Sequence, residues 1–289
     1  MSEMCWLNGG IIPLATARIH PLDRGLLFGD GLFETLRADA GKVLLTQAHL
    51  ARLRRSAGLF QLTLPFSDPD LISAMQDLLA ANRFAEARLR LLLTRGLHSG
   101  NLGLPLTPSP TVLITAEPLA GNLTELQTQG VKLARTVQVI PRGWIFARHK
   151  TLNRLPYLLA REQAQAKGAD DALLQDEQGQ VTETTIANLF LVQGRRLITP
   201  PLTAPILPGI TRGAIIKLAP ELNLAVKERD FPVQTLFEVE EIFGTGSVAG
   251  VVPVTEVDGQ KIGSGQPGPI TRELQSAYQA FARSKDPRV

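Results

Sequence analysis

Lys150 is the residue of this chain best placed to do covalent chemistry. It stands in Arg148-His149-Lys150-Thr151-Leu152-Asn153-Arg154-Leu155. Lysine is the one side chain that can form an imine with a carbonyl and, once released, carry a proton. Cationic neighbours, here His149, Arg148 and Arg154, disfavour its ammonium form and raise its nucleophilic fraction. A lysine beside arginines is most often a solvated surface residue, so its case rests on what else the chain supplies.

Three further features bear on it. Glu183 interrupts a mostly uncharged segment, Val181 to Val192, and a carboxylate there needs a partner; an exposed turn or a helix-capping contact would also account for it. Leu207-Pro208-Gly209-Ile210-Thr211-Arg212 is a Pro-Gly turn feeding a threonine at a helix start. Free backbone N–H groups, a hydroxyl and the positive end of a helix dipole make an anion site there, unless it is a bare helix cap. Ile242-Phe243-Gly244-Thr245-Gly246-Ser247 reads as a strand breaking into a small-residue loop, a second place for backbone amides around a phosphate. Arg52 lies beside the apolar stripe Leu50, Leu53, Ala57 of a helix and can point inward at a ligand. An imine-forming lysine, a carboxylate, an inward arginine and two anion sites together are the set that pyridoxal phosphate requires.

The elements that must position these groups follow from pattern. Trp6 to Gly10 is a strand ending in an Asn-Gly hairpin turn. Phe33 to Arg37 alternates apolar and polar residues, as a half-buried strand does. Thr46 is the expected cap of a helix through Ala57, and a second helix spans about 68 to 83. Strands are expected over Arg88 to Thr94 and Thr111 to Glu117, with a Gly/Pro loop holding His98 between them. Residues 118–130 carry Pro, Gly, Asn and Gln with weak periodicity and read as a linker, which gives an N-terminal small α/β domain over 1–117 and a C-terminal domain over 131–289. The second half shows strands at Val131 to Val139 and Asp171 to Gln175. It also shows helices at Pro156 to Lys167, Gly213 to Ala219 and Ile270 to Ala282.

Composition bounds the alternatives. The 289 residues are 44% hydrophobic and 20% charged, the profile of a soluble globular protein. The single cysteine, Cys5, excludes an internal disulfide and a cysteine metal cluster, and four scattered histidines show no metal-ligand spacing. No metal is therefore expected. The N-terminal sequence lacks a signal-peptide pattern and no apolar run approaches a membrane span, so the expected compartment is the cytoplasm. The net charge of +3 and pI near 9.2 suit small anionic ligands, and with aromatics at only 5% there is no basic-aromatic stripe for nucleic acid.

The ordered motifs resemble one family. They are Asp23-Arg24-Gly25 with Phe28-Gly29-Asp30-Gly31-Leu32-Phe33-Glu34-Thr35-Leu36-Arg37; His49-Leu50-Ala51-Arg52-Leu53; Lys150 with Asn153; Glu183 with Asn188-Leu189-Phe190; Leu207 to Arg212; and Gly246-Ser247 before Val252-Pro253-Val254. Together they closely resemble the class IV aminotransferases, the fold-type IV pyridoxal-phosphate enzymes, over essentially the whole chain. The resemblance implies an α/β (α+β) fold of two domains with the cofactor in the cleft between them, assembled as a homodimer. It implies Lys150 as Schiff-base lysine and proton shuttle, Glu183 at the pyridine nitrogen, and Arg52, Ile210, Thr211 and Ser247 at the phosphate. Arg95 and Arg148 are candidates for the substrate carboxylates. Lys-x-Leu-Asn-Arg-Leu at Lys150 and Val-Thr-Glu at Glu183 look most like 4-amino-4-deoxychorismate lyases. That points to a lyase forming 4-aminobenzoate and pyruvate for folate synthesis. The alternative is an aminotransferase acting on D-amino acids or branched-chain amino acids; the stretch from Leu207 to Pro253 looks as much like a branched-chain aminotransferase.

Overall fold

The computed structural model describes residues 3–97, 102–104 and 109–284. The expected loop histidine, His98, lies outside them. The chain divides into two units.

The first unit comprises Met1–Leu119 and His149–Asn153. Its strands are β1 (Met4–Leu7), β2 (Gly10–Pro13), β3 (Gly31–Asp39), β4 (Lys42–Val43), β5 (Ala87–Thr94) and β6 (Thr111–Pro118); its helices are α1 (Arg24–Phe28), α2 (Thr46–Leu59) and α3 (Asp68–Asn82). The strands form one antiparallel sheet in the order β2-β1-β6-β5-β3-β4. Strict alternation in β5 turns Leu89, Leu91 and Leu93 inward, where they meet Leu50, Leu53 and Ala57 of α2 and Leu71, Met75 and Leu78 of α3. A capping box between Ser67 and Asp70, with Pro69 in the first turn, starts α3. The start of α2 differs from expectation. Its N-cap is Leu45 in the left-handed region, and Thr46 Oγ1 donates back to the Val43 carbonyl, because the chain must reverse sharply out of β4.

The second unit comprises Ala120–Arg148 and Arg154–Val289. Its strands are β7 (Val131–Val139), β8 (Asp171–Gln175), β9 (Val181–Thr184), β10 (Asn188–Gln193), β11 (Arg196–Thr199), β12 (Ala225–Glu228), β13 (Glu241–Gly246), β14 (Gly250–Val257) and β15 (Gln260–Lys261). Its helices are α4 (Leu123–Gln129), α5 (Leu155–Ala166), α6 (Ile210–Leu218) and α7 (Pro269–Arg283). The path β10-β13-β14-β7-β8-β9 returns on itself where Glu183 of β9 pairs with Asn188 of β10, closing a ring of six strands. Leu133, Leu173, Leu191, Phe231 and Val254 belong to its core. At β13 the Glu241 carboxylate accepts from the N–H groups of Ile270 and Thr271 and from the Thr271 hydroxyl, which caps α7 from another element.

Two boundaries change. The expected linker 118–130 is mostly helix, since α4 packs on β14 and Gln127 Nε2 donates to the Ala249 carbonyl; the unit boundary itself falls between Leu119 and Ala120. The segment His149–Asn153, expected in the second domain, belongs to the first. It lies beside the start of β3 and joins it through one isolated antiparallel bridge, Leu32 with Thr151: Phe33 N–H donates to the Lys150 carbonyl at 2.8 Å and Leu152 N–H to the Gly31 carbonyl at 3.0 Å. Two main-chain hydrogen bonds outweigh position in the sequence.

Candidate active site

The predicted residues fall into two clusters, one on each unit. On the first, the turn bridged to β3 presents Lys150 with its Nζ 4.6 Å from the centre of the Phe33 ring. Its neighbour His149 is fixed by Ser56, whose Oγ lies 2.8 Å from His149 Nδ1, and by an edge-on contact with Phe60. Behind them lies a buried charged network. Glu34 on β3 is 1% exposed and Arg52 on α2 is 3% exposed. Arg52 donates from Nε to Glu34 Oε1 at 2.8 Å and from Nη2 to Oε2 at 2.6 Å, a two-point grip that fixes the guanidinium plane. His49 Nδ1 sits 2.7 Å from Glu34 Oε2.

Burial pushes the Glu34 carboxyl up, but Arg52 and His49 outweigh it and hold it at about 2. An ionised carboxylate only accepts, so His49 carries its proton on Nδ1 and donates. Burial lowers the His49 imidazole pKa, Glu34 pulls it back, and Arg52 and Lys150 add to the lowering; the balance falls below the ordinary histidine value. A depressed carboxyl contributes stability that is present above its unfolded value of 4.5 and lost as pH falls towards about 2. That window should therefore show steep acid unfolding by circular dichroism. Glu34→Gln should be less stable at pH 7 and should flatten the slope between those limits. An unchanged slope would show that Glu34 does not carry it.

Arg95 is placed differently from expectation. It donates twice to Asp30 and once each to the Phe60 and Gln61 carbonyls, and Asp30 also receives Arg24. These contacts tie the turn after α2 to the strand ends, and with its donors so engaged Arg95 is a structural residue, not a ligand for a substrate carboxylate.

On the second unit, Glu183 of β9 is buried and its Oε2 accepts from Asn188 Nδ2 at 3.0 Å and from the Leu207 N–H at 3.1 Å. Helix α6 begins three residues earlier than expected, because the Gly213 N–H already reaches the Gly209 carbonyl. Ile210 and Thr211 thus occupy its first turn, where N–H groups have no acceptor within the helix, and no side chain caps them. The Thr211 hydroxyl lies 3.1 Å from the Tyr278 hydroxyl of α7. Ser247 sits half-buried in the turn between β13 and β14. Arg154 lies 3.6 Å over the Tyr157 ring and donates to the Thr185 carbonyl at 2.6 Å. Burial and the Glu183 charge raise the Tyr157 hydroxyl pKa well above the ordinary tyrosine value, against the pull of Arg154, so it stays neutral. Arg148 is exposed and donates to the Thr203 carbonyl.

Four members were not singled out in sequence. Glu34 had a visible signal, since it shares the core phase of Leu32, Leu36 and Ala38 along β3. His49 and Ser56 stand at helical spacing from Arg52 on the buried face of α2. Asn188 stood in the Glu183 motif with no role of its own, because that role depends on a turn nineteen residues away. Among the described residues no cluster of three or more His, Cys, Asp or Glu could hold a metal ion, and no helix is long and apolar enough to cross a membrane.

The amino-transferase class IV family model matches residues 31–257. A Methanocaldococcus jannaschii protein provisionally named a branched-chain-amino-acid aminotransferase is 36% identical over 94% of each chain, and the D-alanine aminotransferase of Bacillus licheniformis is 34% identical, again over 94% of each. Among solved structures, the Escherichia coli branched-chain aminotransferase aligns with TM-score 0.93 and 30% identity over 98% of this chain and 95% of that one. A Legionella pneumophila protein provisionally named a 4-amino-4-deoxychorismate lyase aligns with TM-score 0.86 and 26% identity over 92% and 96%.

Proposed function

The chain belongs to the class IV aminotransferase family and uses pyridoxal 5'-phosphate, and on that premise we propose that it is a cytoplasmic 4-amino-4-deoxychorismate lyase. The donor set suits the cofactor. On the second unit the N–H groups of Ile210 and Thr211 and the Thr211 and Ser247 hydroxyls suit a phosphate; on the first, Arg52 is the resemblance's candidate for it, with Nε and one Nη2 hydrogen given to Glu34. Glu183 suits a protonated ring nitrogen, and the amine of Lys150 suits the carbonyl carbon. When bound, the cofactor supplies an electron sink beside the substrate nitrogen.

The chain's own groups do the rest. Lys150 Nζ, once released, removes the proton from the substrate carbon bearing the amine. Glu183, held by two N–H donors, keeps the ring nitrogen protonated. The bond from the substrate ring to the enolpyruvyl oxygen then breaks. That oxygen leaves with the pyruvate skeleton, which takes up a proton, and the substrate ring becomes aromatic. No second substrate is needed. Proton transfer by a positioned base accounts for about 10²–10⁴-fold of the rate.

The observation that carries the lyase reading is the stretch Lys150-Thr151-Leu152-Asn153-Arg154-Leu155 with Arg154 anchored on Tyr157 and Thr185. It sets a fixed cation on the strand-turn that bears Glu183, which suits a substrate with two carboxylates; exposed Arg148 is the second candidate for them. The relatives named above favour a second reading, an aminotransferase acting on branched-chain or D-amino acids. Products separate the two. Supplied with 4-amino-4-deoxychorismate, the purified enzyme should release 4-aminobenzoate and pyruvate in equal amounts. With leucine or D-alanine and 2-oxoglutarate it should form glutamate at less than a hundredth of that rate. Glutamate formation without aminobenzoate would establish the second reading instead.

We also propose a homodimer. Helix α5 leaves Leu155, Leu158 and Leu159 exposed at helical spacing, and α1 leaves Leu26, Leu27 and Phe28 exposed. Sedimentation at micromolar concentration should give twice the 31.3 kDa chain mass.

A further inference from the structure

Asn188 belongs to no step above, yet it is the point at which the second unit's site is held together. It is 4% exposed and both hydrogens of its Nδ2 are used. Nδ2 donates to Glu183 Oε2 at 3.0 Å and to the Leu207 carbonyl at 2.9 Å, while the Leu207 N–H returns to the same Glu183 oxygen at 3.1 Å. Its backbone stands opposite both Glu183 and Thr245, so the side chain issues from the seam that closes the strand ring. Its Oδ1 lies so close to Gly209 that a β-carbon there would sit inside it. Gly209 is the N-cap of α6, immediately before the Ile210 and Thr211 amides.

We propose that Asn188 is a positioning residue that locks the Glu183 carboxylate and the turn ahead of α6 into one piece, so that the ring-nitrogen group and the phosphate amides keep a fixed separation. This rests on the cofactor reading of those groups. Only an amide can do it. Two donors on one nitrogen are needed to bridge a carboxylate and a carbonyl, and a carboxylic side chain of the same shape offers none when ionised. Glycine at position 209 is the other half of the device, because any side chain would push the amide off Glu183.

The structure of the device sets the test. Pyridoxal phosphate is titrated into cofactor-free wild-type protein and into Asn188→Ala, Asn188→Asp, Gly209→Ala and the Asn188→Ala/Gly209→Ala double variant, with the bound cofactor's absorbance as readout. Each single variant should bind about tenfold to a hundredfold more weakly, the effect of losing a hydrogen bond to a charged group. The double variant should be no weaker than the weaker single one, since Gly209→Ala acts by displacing a side chain that is no longer there. Asn188→Asp, which keeps the volume and hence the fold, also sets two carboxylates face to face. It should shift the pH at which the bound cofactor's absorbance changes, and kcat should fall more than the substrate KM rises. Additive losses in the double variant, or an Asn188→Asp protein that titrates like wild type, would overturn the proposal alone. A wild-type chain that bound no pyridoxal phosphate would overturn both it and the cofactor reading beneath it.

Discussion

Lys150→Ala should purify folded and lose at least about 10⁴-fold in kcat, because in the proposed mechanism one amine both holds the cofactor carbonyl and moves the proton. The fold survives because what attaches this segment to β3 is main chain. The Phe33 N–H bonds the Lys150 carbonyl and the Leu152 N–H bonds the Gly31 carbonyl, and both remain in the variant. The ammonium over Phe33 contributes about 0.5–1 kcal/mol of side-chain stability. Lys150→Arg is the sharper control. It keeps the charge and the ring contact, but a guanidinium does not give up its proton at neutral pH. Arginine should therefore be as inactive as alanine and at least as stable. Either variant retaining more than a hundredth of wild-type turnover would remove Lys150 from the chemistry.

Arg52→Ala should cost about 3–5 kcal/mol of stability, the usual effect of stranding one member of a buried ion pair. The magnitude follows from Glu34. Its carboxylate is 1% exposed, and without Arg52 it keeps only the His49 contact. It must then stay charged in a poor environment or take up a proton, so the variant should also lose stability as pH rises from 4.5 through the new, higher pKa of Glu34. That sign is opposite to the wild type's acid loss. Pairing Arg52→Met with Glu34→Gln removes the stranded charge, and most of the stability should return while phosphate affinity does not. Thermal melts at pH 5 and pH 8, with inorganic phosphate titrated into the cofactor-free proteins, measure both quantities. A single variant as stable as the double one would mean that the network is solvated.

What could be read from the residues was whatever depends on near neighbours. The α2 stripe of Leu50, Leu53 and Ala57 lies in the core as its spacing requires, and Arg52 beside it does point inward. The strands at Arg88 to Thr94 and Val131 to Val139 stand where alternation puts them, give or take a residue. What could not be read depends on pairings across the chain. Arg95 looked available as a cation, yet Asp30 and two carbonyls of the α2 turn hold it. Residues 123–129 looked like a linker because a seven-residue helix is too short to show a period. Asn188 looked like one polar residue in a strand because Leu207 and Gly209 lie far along the sequence. Long-range hydrogen bonds leave no local trace, and they set most of the site.

The segment His149–Asn153 also fixes a schedule for biosynthesis. The first unit has its own hydrophobic core within 119 residues, yet the strip beside β3 stays open until residue 153 has been made. During synthesis a nearly finished sheet must therefore wait with an unpaired edge, while the chain continues through α4 and β7, before the segment bearing the lysine docks. A nascent chain halted near residue 140 would show protease resistance in the first unit but an exposed β3 margin, and a gene split at the 119/120 junction would leave the lysine on the wrong fragment. The Lys150 amine enters the first unit last, after the Glu34–Arg52 network has been assembled.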